Sequence, residues 1–96
     1  ICDESPYIVR TTFEPGYSAS DHWHKYDTMY FIMDGEMSFS KDEPLYKKGD
    51  IRVVKGGYSY GPEKPGKDGV TFILISNGGP IDLNWSDIKK PPVMQL

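Results

Sequence analysis

The chain has 96 residues, enough for one domain, with 38% hydrophobic and 26% charged residues and a net charge of −3. That balance is too apolar for a disordered chain, and it lacks the basic surplus that phosphate-backbone binding needs, so nucleic acid is not an expected partner. A single cysteine, Cys2, excludes an internal disulfide, and no apolar run approaches the ~20 residues of a membrane helix. With no secretory signal in these residues, a cytoplasmic protein without a membrane partner is expected.

In chain order, runs rich in Val, Ile, Thr, Tyr and Phe predict strands over Tyr7–Phe13, Tyr17–His24, Thr28–Met33 and Glu36–Ser40. Further strands are predicted over Leu45–Tyr46, Ile51–Val54, Val70–Ser76 and Ile81–Asn84. Glu14-Pro15-Gly16 and Gly49-Asp50 read as tight turns, and Asp34-Gly35 as the turn of a hairpin. One helical turn is expected near Ser86–Lys90, stopped by Pro91-Pro92. Many short strands between scattered Gly and Pro predict an all-β sandwich or barrel forming one domain over residues 1–96. Thirteen aromatic residues supply the bulk for a small core.

The chain's two histidines are His22 and His24. Alternate residues of a strand share a face, so both imidazoles project together. That suits two adjacent positions on one divalent metal such as Fe, Zn, Ni or Mn. It also suits a solvent-facing pair, or a buried histidine bonded to a carboxylate. Trp23, between them, should face the opposite way, into sheet packing or a dimer surface. Gly61–Lys67 has the glycine and lysine spacing of a phosphate-binding loop. Pro62 and Pro65 remove backbone donors, Asp68 replaces the Mg²⁺-binding hydroxyl, and no helix pattern follows. A solvated hairpin loop is the better reading of that stretch.

Gly16, His22, His24 and Gly35 are spaced as in the first motif of the cupin superfamily, and Gly49 and Gly57 as in the second, over about residues 8–76. The chain therefore resembles a compact single-domain cupin. The resemblance implies a small antiparallel jelly-roll barrel, a metal or small ligand inside, and a homodimer formed through exposed sheets or exchanged strands. It also implies four metal ligands, three His and one Glu, of which this chain keeps two. Thr28 stands at the glutamate position, Tyr60 at that of the third histidine and Lys64 at that of the asparagine. Asp27 is the best substitute carboxylate, provided that a bulge or turn aims it inward beside Thr28. Two His and one carboxylate would then resemble a facial non-haem metal site. Asp21 and Glu63 are lesser candidates. Tyr60 is expected to orient substrate or transfer a proton, with Thr28, Tyr30 and Arg52 contacting substrate. The leading expectation is a metal-dependent cupin enzyme acting on a small organic molecule, by dioxygenase, lyase or isomerase chemistry. The alternative is a small-molecule-binding module or sensor without bound metal.

Overall fold

The computed structural model describes residues 6–85. The helical turn expected near Ser86–Lys90 lies outside them, as does Cys2. The described chain forms seven strands: β1 (Tyr7–Phe13), β2 (His22–Trp23), β3 (Asp27–Ser38), β4 (Tyr46–Lys47), β5 (Ile51–Val54), β6 (Lys64–Asn77) and β7 (Asn84–Trp85). All named pairings are antiparallel. One sheet runs β1-β6-β3-β4, with β5 also paired to β3; β2 and β7 form a second, two-stranded sheet. This is the all-β architecture that the strand pattern predicts, and the jelly roll that the cupin resemblance implies. No helix of the described residues is long and apolar enough to cross a membrane.

Strict alternation orients the main sheet. Thr28, Tyr30 and Ile32 of β3 and Phe72, Leu74 and Ser76 of β6 turn inward and are buried. Tyr30, Ile32, Met37, Phe39, Val54, Tyr60, Val70, Phe72 and Leu74 make one core cluster. Met29, Phe31 and Met33 therefore face outward and are exposed. Registers place Ile8, Ile75, Met29 and Val53 in one row across four strands, and Arg10, Ile73, Phe31 and Ile51 in the next. The outer face thus carries two adjacent rows with a single charge.

β1 and β5 fall on their predicted residues. The turn over Glu14-Pro15-Gly16 closes with Tyr17 N donating to Glu14 O at 3.1 Å, and Gly16 takes the positive φ that this turn demands. Four expectations need correction. The strand expected over Ile81–Asn84 is found only at Asn84–Trp85. Asp34-Gly35 does not reverse the chain: β3 continues through it to Ser38, and the positive φ of Gly35 is used in a bulge against β6. The run Tyr17–His24 keeps only His22–Trp23 as regular strand, joined to residues 60–63 by isolated bridges at Ala19↔Glu63 and His22↔Tyr60. Pro62, which has no N–H, lies opposite the gap between those bridges. The presumed hairpin loop over 61–67 is instead the entry to β6, which begins at Lys64, and Glu63 just before it is buried.

The bulge makes a testable demand. A Cβ on Gly35 would lie 2.2 Å from the Gly69 carbonyl oxygen, whereas one on Gly49, also at positive φ, would meet nothing within 4 Å. Gly49→Ala should cost only backbone strain, about 1–2 kcal/mol. Gly35→Ala should cost about 3 kcal/mol, since the clash adds to the strain. Urea unfolding of both variants checks the order; equal losses would contradict the close approach.

Candidate functional site

β2 presents the histidines as alternation requires. Both are buried, and their rings are 4.9 Å apart, centroid to centroid. His22 Nδ1 lies 2.7 Å from the Ser20 carbonyl oxygen, and His24 Nδ1 lies 2.5 Å from that of Asp82. A carbonyl oxygen only accepts, so each Nδ1 carries a hydrogen and donates it. Both Nε2 atoms are left as acceptors turned into the barrel. The segment bearing Asp82 is held in turn: Lys25 N donates to both Asp82 carboxylate oxygens at 3.0 Å, and Asn84 Nδ2 donates to Trp23 O at 3.1 Å.

Each Nε2 faces a specific partner. Tyr60 donates its hydroxyl hydrogen to His24 Nε2 at 2.9 Å, and the Tyr30 hydroxyl bonds to that of Tyr60. His22 Nε2 lies 3.3 Å from Glu63 Oε1. Two acceptors at that distance share one proton, on the carboxyl or on the ring. Burial pushes the Glu63 carboxyl up to about 7, against the opposing pulls of the Tyr30 hydroxyl and the Arg52 charge. Burial also lowers His22 and His24, against the Ser20 and Asp82 carbonyls respectively. Tyr60 is raised by burial and by the nearby Glu63 carboxylate, so its phenol keeps its proton.

The expected site residues divide between two places. His22, His24 and Tyr30 line a cavity of about 200 Å³ walled mainly by apolar and aromatic side chains, Phe13, Tyr17, Phe72, Leu74 and Trp85 among them. Glu63 lines it too. Tyr60 is not among the lining side chains; its hydroxyl is held between Tyr30 and His24. Thr28 is buried but lies outside the lining, its hydroxyl without a protein partner. Asp27 is not brought to the histidines: no bulge interrupts β3 there, and Oδ1 accepts the Gly56 N–H at 2.8 Å. Arg52 stacks over Phe39, 5.1 Å from the ring centroid, pairs with Glu43 and donates to the Tyr46 hydroxyl, away from the cavity. Trp23 is buried, so it does not supply an exposed dimer surface. Glu63 carries more of the site than its sequence context signals, and Asp82 acts through its backbone, for which no side-chain motif exists.

The donors do not complete a metal centre. The two Nε2 atoms have the orientation and the carbonyl-anchored Nδ1–H of metal-binding histidines. The other positions fail: Thr28 offers a neutral hydroxyl, Tyr60 a phenol that holds its proton, and Asp27 a carboxylate used elsewhere. Among the described residues no group of three or more His, Cys, Asp or Glu side chains is placed to hold a metal ion.

No family model matches the chain, and no curated protein matches it. Solved structures do. An RmlC-like cupin protein from Ralstonia eutropha superposes with a TM-score of 0.75 at 12% identity, covering 94% of this chain and 57% of that one. The chain has the cupin fold. A conserved double-stranded β-helix protein from Klebsiella pneumoniae matches the fold with a TM-score of 0.69 at 20% identity, over 86% of this chain and 71% of its own. An E162A mutant of the Bacillus subtilis oxalate decarboxylase OxdC matches it with a TM-score of 0.68 at 19% identity, over 83% of this chain and 23% of its own. The chain spans little more than half of the first of these and under a quarter of the third. The cupin spacing of Gly16, His22, His24 and Gly35 thus sits on the corresponding fold.

The Glu63 carboxyl yields a pH prediction. Its folded value of about 7 lies above the ordinary 4.5, so the native state binds the proton more tightly than the unfolded chain does. Its contribution is full below pH ~4.5 and is lost as pH rises through ~7. Glu63→Gln removes that dependence. Relative to the parent protein, the variant should gain stability between pH ~5 and pH ~8, by about 3 kcal/mol at most. Lowered His24 acts in the opposite sense, below pH ~6.5, and cancels in the comparison, whereas His22 shares a proton with Glu63 and changes with it. Urea unfolding of both proteins at the two pH values measures it; a pH-independent difference would refute the raised carboxyl.

Proposed function

We propose that this chain binds a small, mainly apolar organic molecule inside its barrel, without a resident metal. One observation carries the reading: an apolar-walled cavity of about 200 Å³ with His22, His24, Tyr30 and Glu63 converging on it. Concave, apolar sites with a few oriented polar groups are what small-molecule recognition uses. A metal-assisted dioxygenase, lyase or isomerase needs more donors than the two Nε2 atoms, and those two already face Glu63 and Tyr60. A second reading, metal-free proton transfer on the bound molecule, is favoured by the proton that His22 and Glu63 share beside the cavity.

Elemental analysis of untagged protein, followed by titration with phenol in the presence and absence of chelator, tests the metal-free reading. Substoichiometric metal and chelator-insensitive binding are expected. One equivalent of metal that is lost in both His22→Ala and His24→Ala would restore the metal-dependent enzyme in its place.

We further propose that two copies pack through the outer face of the main sheet. Its two apolar rows across β1, β6, β3 and β5 include Ile8, Ile51 and Val53, each more than half exposed, and Arg10 is the one charge in them. Monomers rarely leave such a patch in water. A second copy offers the same apolar rows about a two-fold axis, an arrangement that leaves each Arg10 free to reach the rim. Sedimentation equilibrium should give a dimer for the parent chain and a monomer for Val53→Glu, with the fold retained because Val53 points away from the core. A monomeric parent chain would reject the interface.

A further inference from the structure

We infer that the occupant of the cavity is a small organic amine bound as its ammonium ion, with a ring or short apolar body. The inference rests on the small-molecule reading above and adds the ligand's chemical class. The cavity lining contains two acidic residues, Glu63 and Asp82, and no Lys or Arg. The Asp82 carboxylate is already engaged by the Lys25 N–H and by Asn84. Glu63 is different. Its side chain is 4% exposed, Oε1 faces His22, and Oε2 has no hydrogen-bond partner. A buried carboxyl oxygen left without a donor is a costly feature, and a ligand donor placed against it removes that cost.

The other polar groups point to the same ligand class. Each histidine spends its Nδ1 hydrogen on a backbone carbonyl, and the Tyr60 hydrogen goes to His24. The Tyr30 hydroxyl is bonded to Tyr60. The groups around Glu63 therefore offer acceptors and no uncommitted donor; the other donors of the lining, on Thr11, Tyr17 and Trp85, are neutral, so no Lys or Arg there offsets the repulsion of a carboxylate or phosphate by Glu63 and Asp82. An ammonium group supplies the missing donor with a charge-assisted hydrogen bond. The aromatic side chains of Phe13, Tyr17, Phe72 and Trp85 line the same space, and such rings attract a cation as well as an apolar body. Size agrees: a cavity of ~150 Å³ holds benzene, so about 200 Å³ admits one ring and a short substituent.

Three probes of nearly equal shape separate the possibilities: benzylamine, benzyl alcohol and benzoate. Each is titrated at neutral pH into the full chain and into Glu63→Gln, with binding followed by calorimetry and by the NMR signals of the His22 and His24 rings. Benzylamine should bind about tenfold more tightly than benzyl alcohol to the parent chain, and benzoate should not bind. In Glu63→Gln the advantage of the amine over the alcohol should disappear. Amine and alcohol of equal affinity in the parent chain, or benzoate the tightest, would overturn the amine assignment while leaving the binding cavity in place. That comparison needs no variant, so it decides even if Glu63→Gln folds poorly. No shift of either histidine ring with any probe would overturn the cavity reading itself, and the amine with it.

Discussion

Two backbone carbonyl oxygens, those of Ser20 and Asp82, fix what the inside of this barrel offers. Each accepts the Nδ1 hydrogen of one histidine and thereby sets its tautomer. Every later property of the site follows from the two Nε2 lone pairs that remain. Because they are acceptors, the groups opposite them must bring hydrogens. The Tyr60 phenol meets that need at His24. At His22 the opposing group is a carboxyl, and the pair holds together only with a proton between them. Asp82 also connects the site to the fold, since its carboxylate caps Lys25 N beside β2 while its carbonyl orients His24. The segment that forms one wall of the cavity therefore also aims one of its polar groups.

The electrostatics of the interior follow from that proton arrangement. Glu63 is the carboxyl that faces the Nε2 of His22, and burial raises its cost of ionisation. Arg52 lowers that cost only at a distance, because Glu43, Tyr46 and the Phe39 ring hold the guanidinium elsewhere. Low dielectric strengthens what is paired and penalises what is not. The Tyr30–Tyr60–His24 chain is of the first kind, and Glu63 Oε2 is of the second. The contrast gives the cavity a sign preference even though its net charge is small.

How far the sequence discloses this depends on the kind of signal. Alternation is local, so β1, β5 and the shared direction of His22 and His24 are legible from residue types alone. Asp34-Gly35 shows the limit. The pair announces a positive φ, which the structure contains, but a reversal and a bulge ask for the same backbone, and only pairing of β3 with β6 beyond Gly35 separates them. Asp27 was excluded by the same alternation that buries Thr28, in the absence of the bulge that would have re-aimed it. Glu63 was illegible for another reason. Its neighbours Pro62, Lys64 and Pro65 read as solvated, and its burial comes from two backbone bonds to Ala19, 44 positions earlier. Such a contact has no trace in local composition.

The departures at Thr28 and Tyr60 are mutually consistent when considered as charges. A barrel with three neutral histidines and a glutamate at strand position 28 would hold a divalent cation by neutralising one carboxylate and filling four donors. Here the strand carboxylate is absent and a carboxyl approaches from the other side of the histidines, at Glu63. The third nitrogen donor is replaced by a phenol that supplies a hydrogen instead of a lone pair. Position 60 thus turns from one that would give electrons to a metal into one that gives a proton to nitrogen, and position 28 gives up its charge. Restoring a histidine at 60 alone would leave His24 Nε2 and the Tyr30 hydroxyl without their present partner, while Thr28 still contributed no charge. The present set is therefore stable as a proton network, and a single substitution does not carry it back to a metal site. What this interior lacks is a hydrogen-bond donor for Glu63 Oε2, and a ligand can bring one.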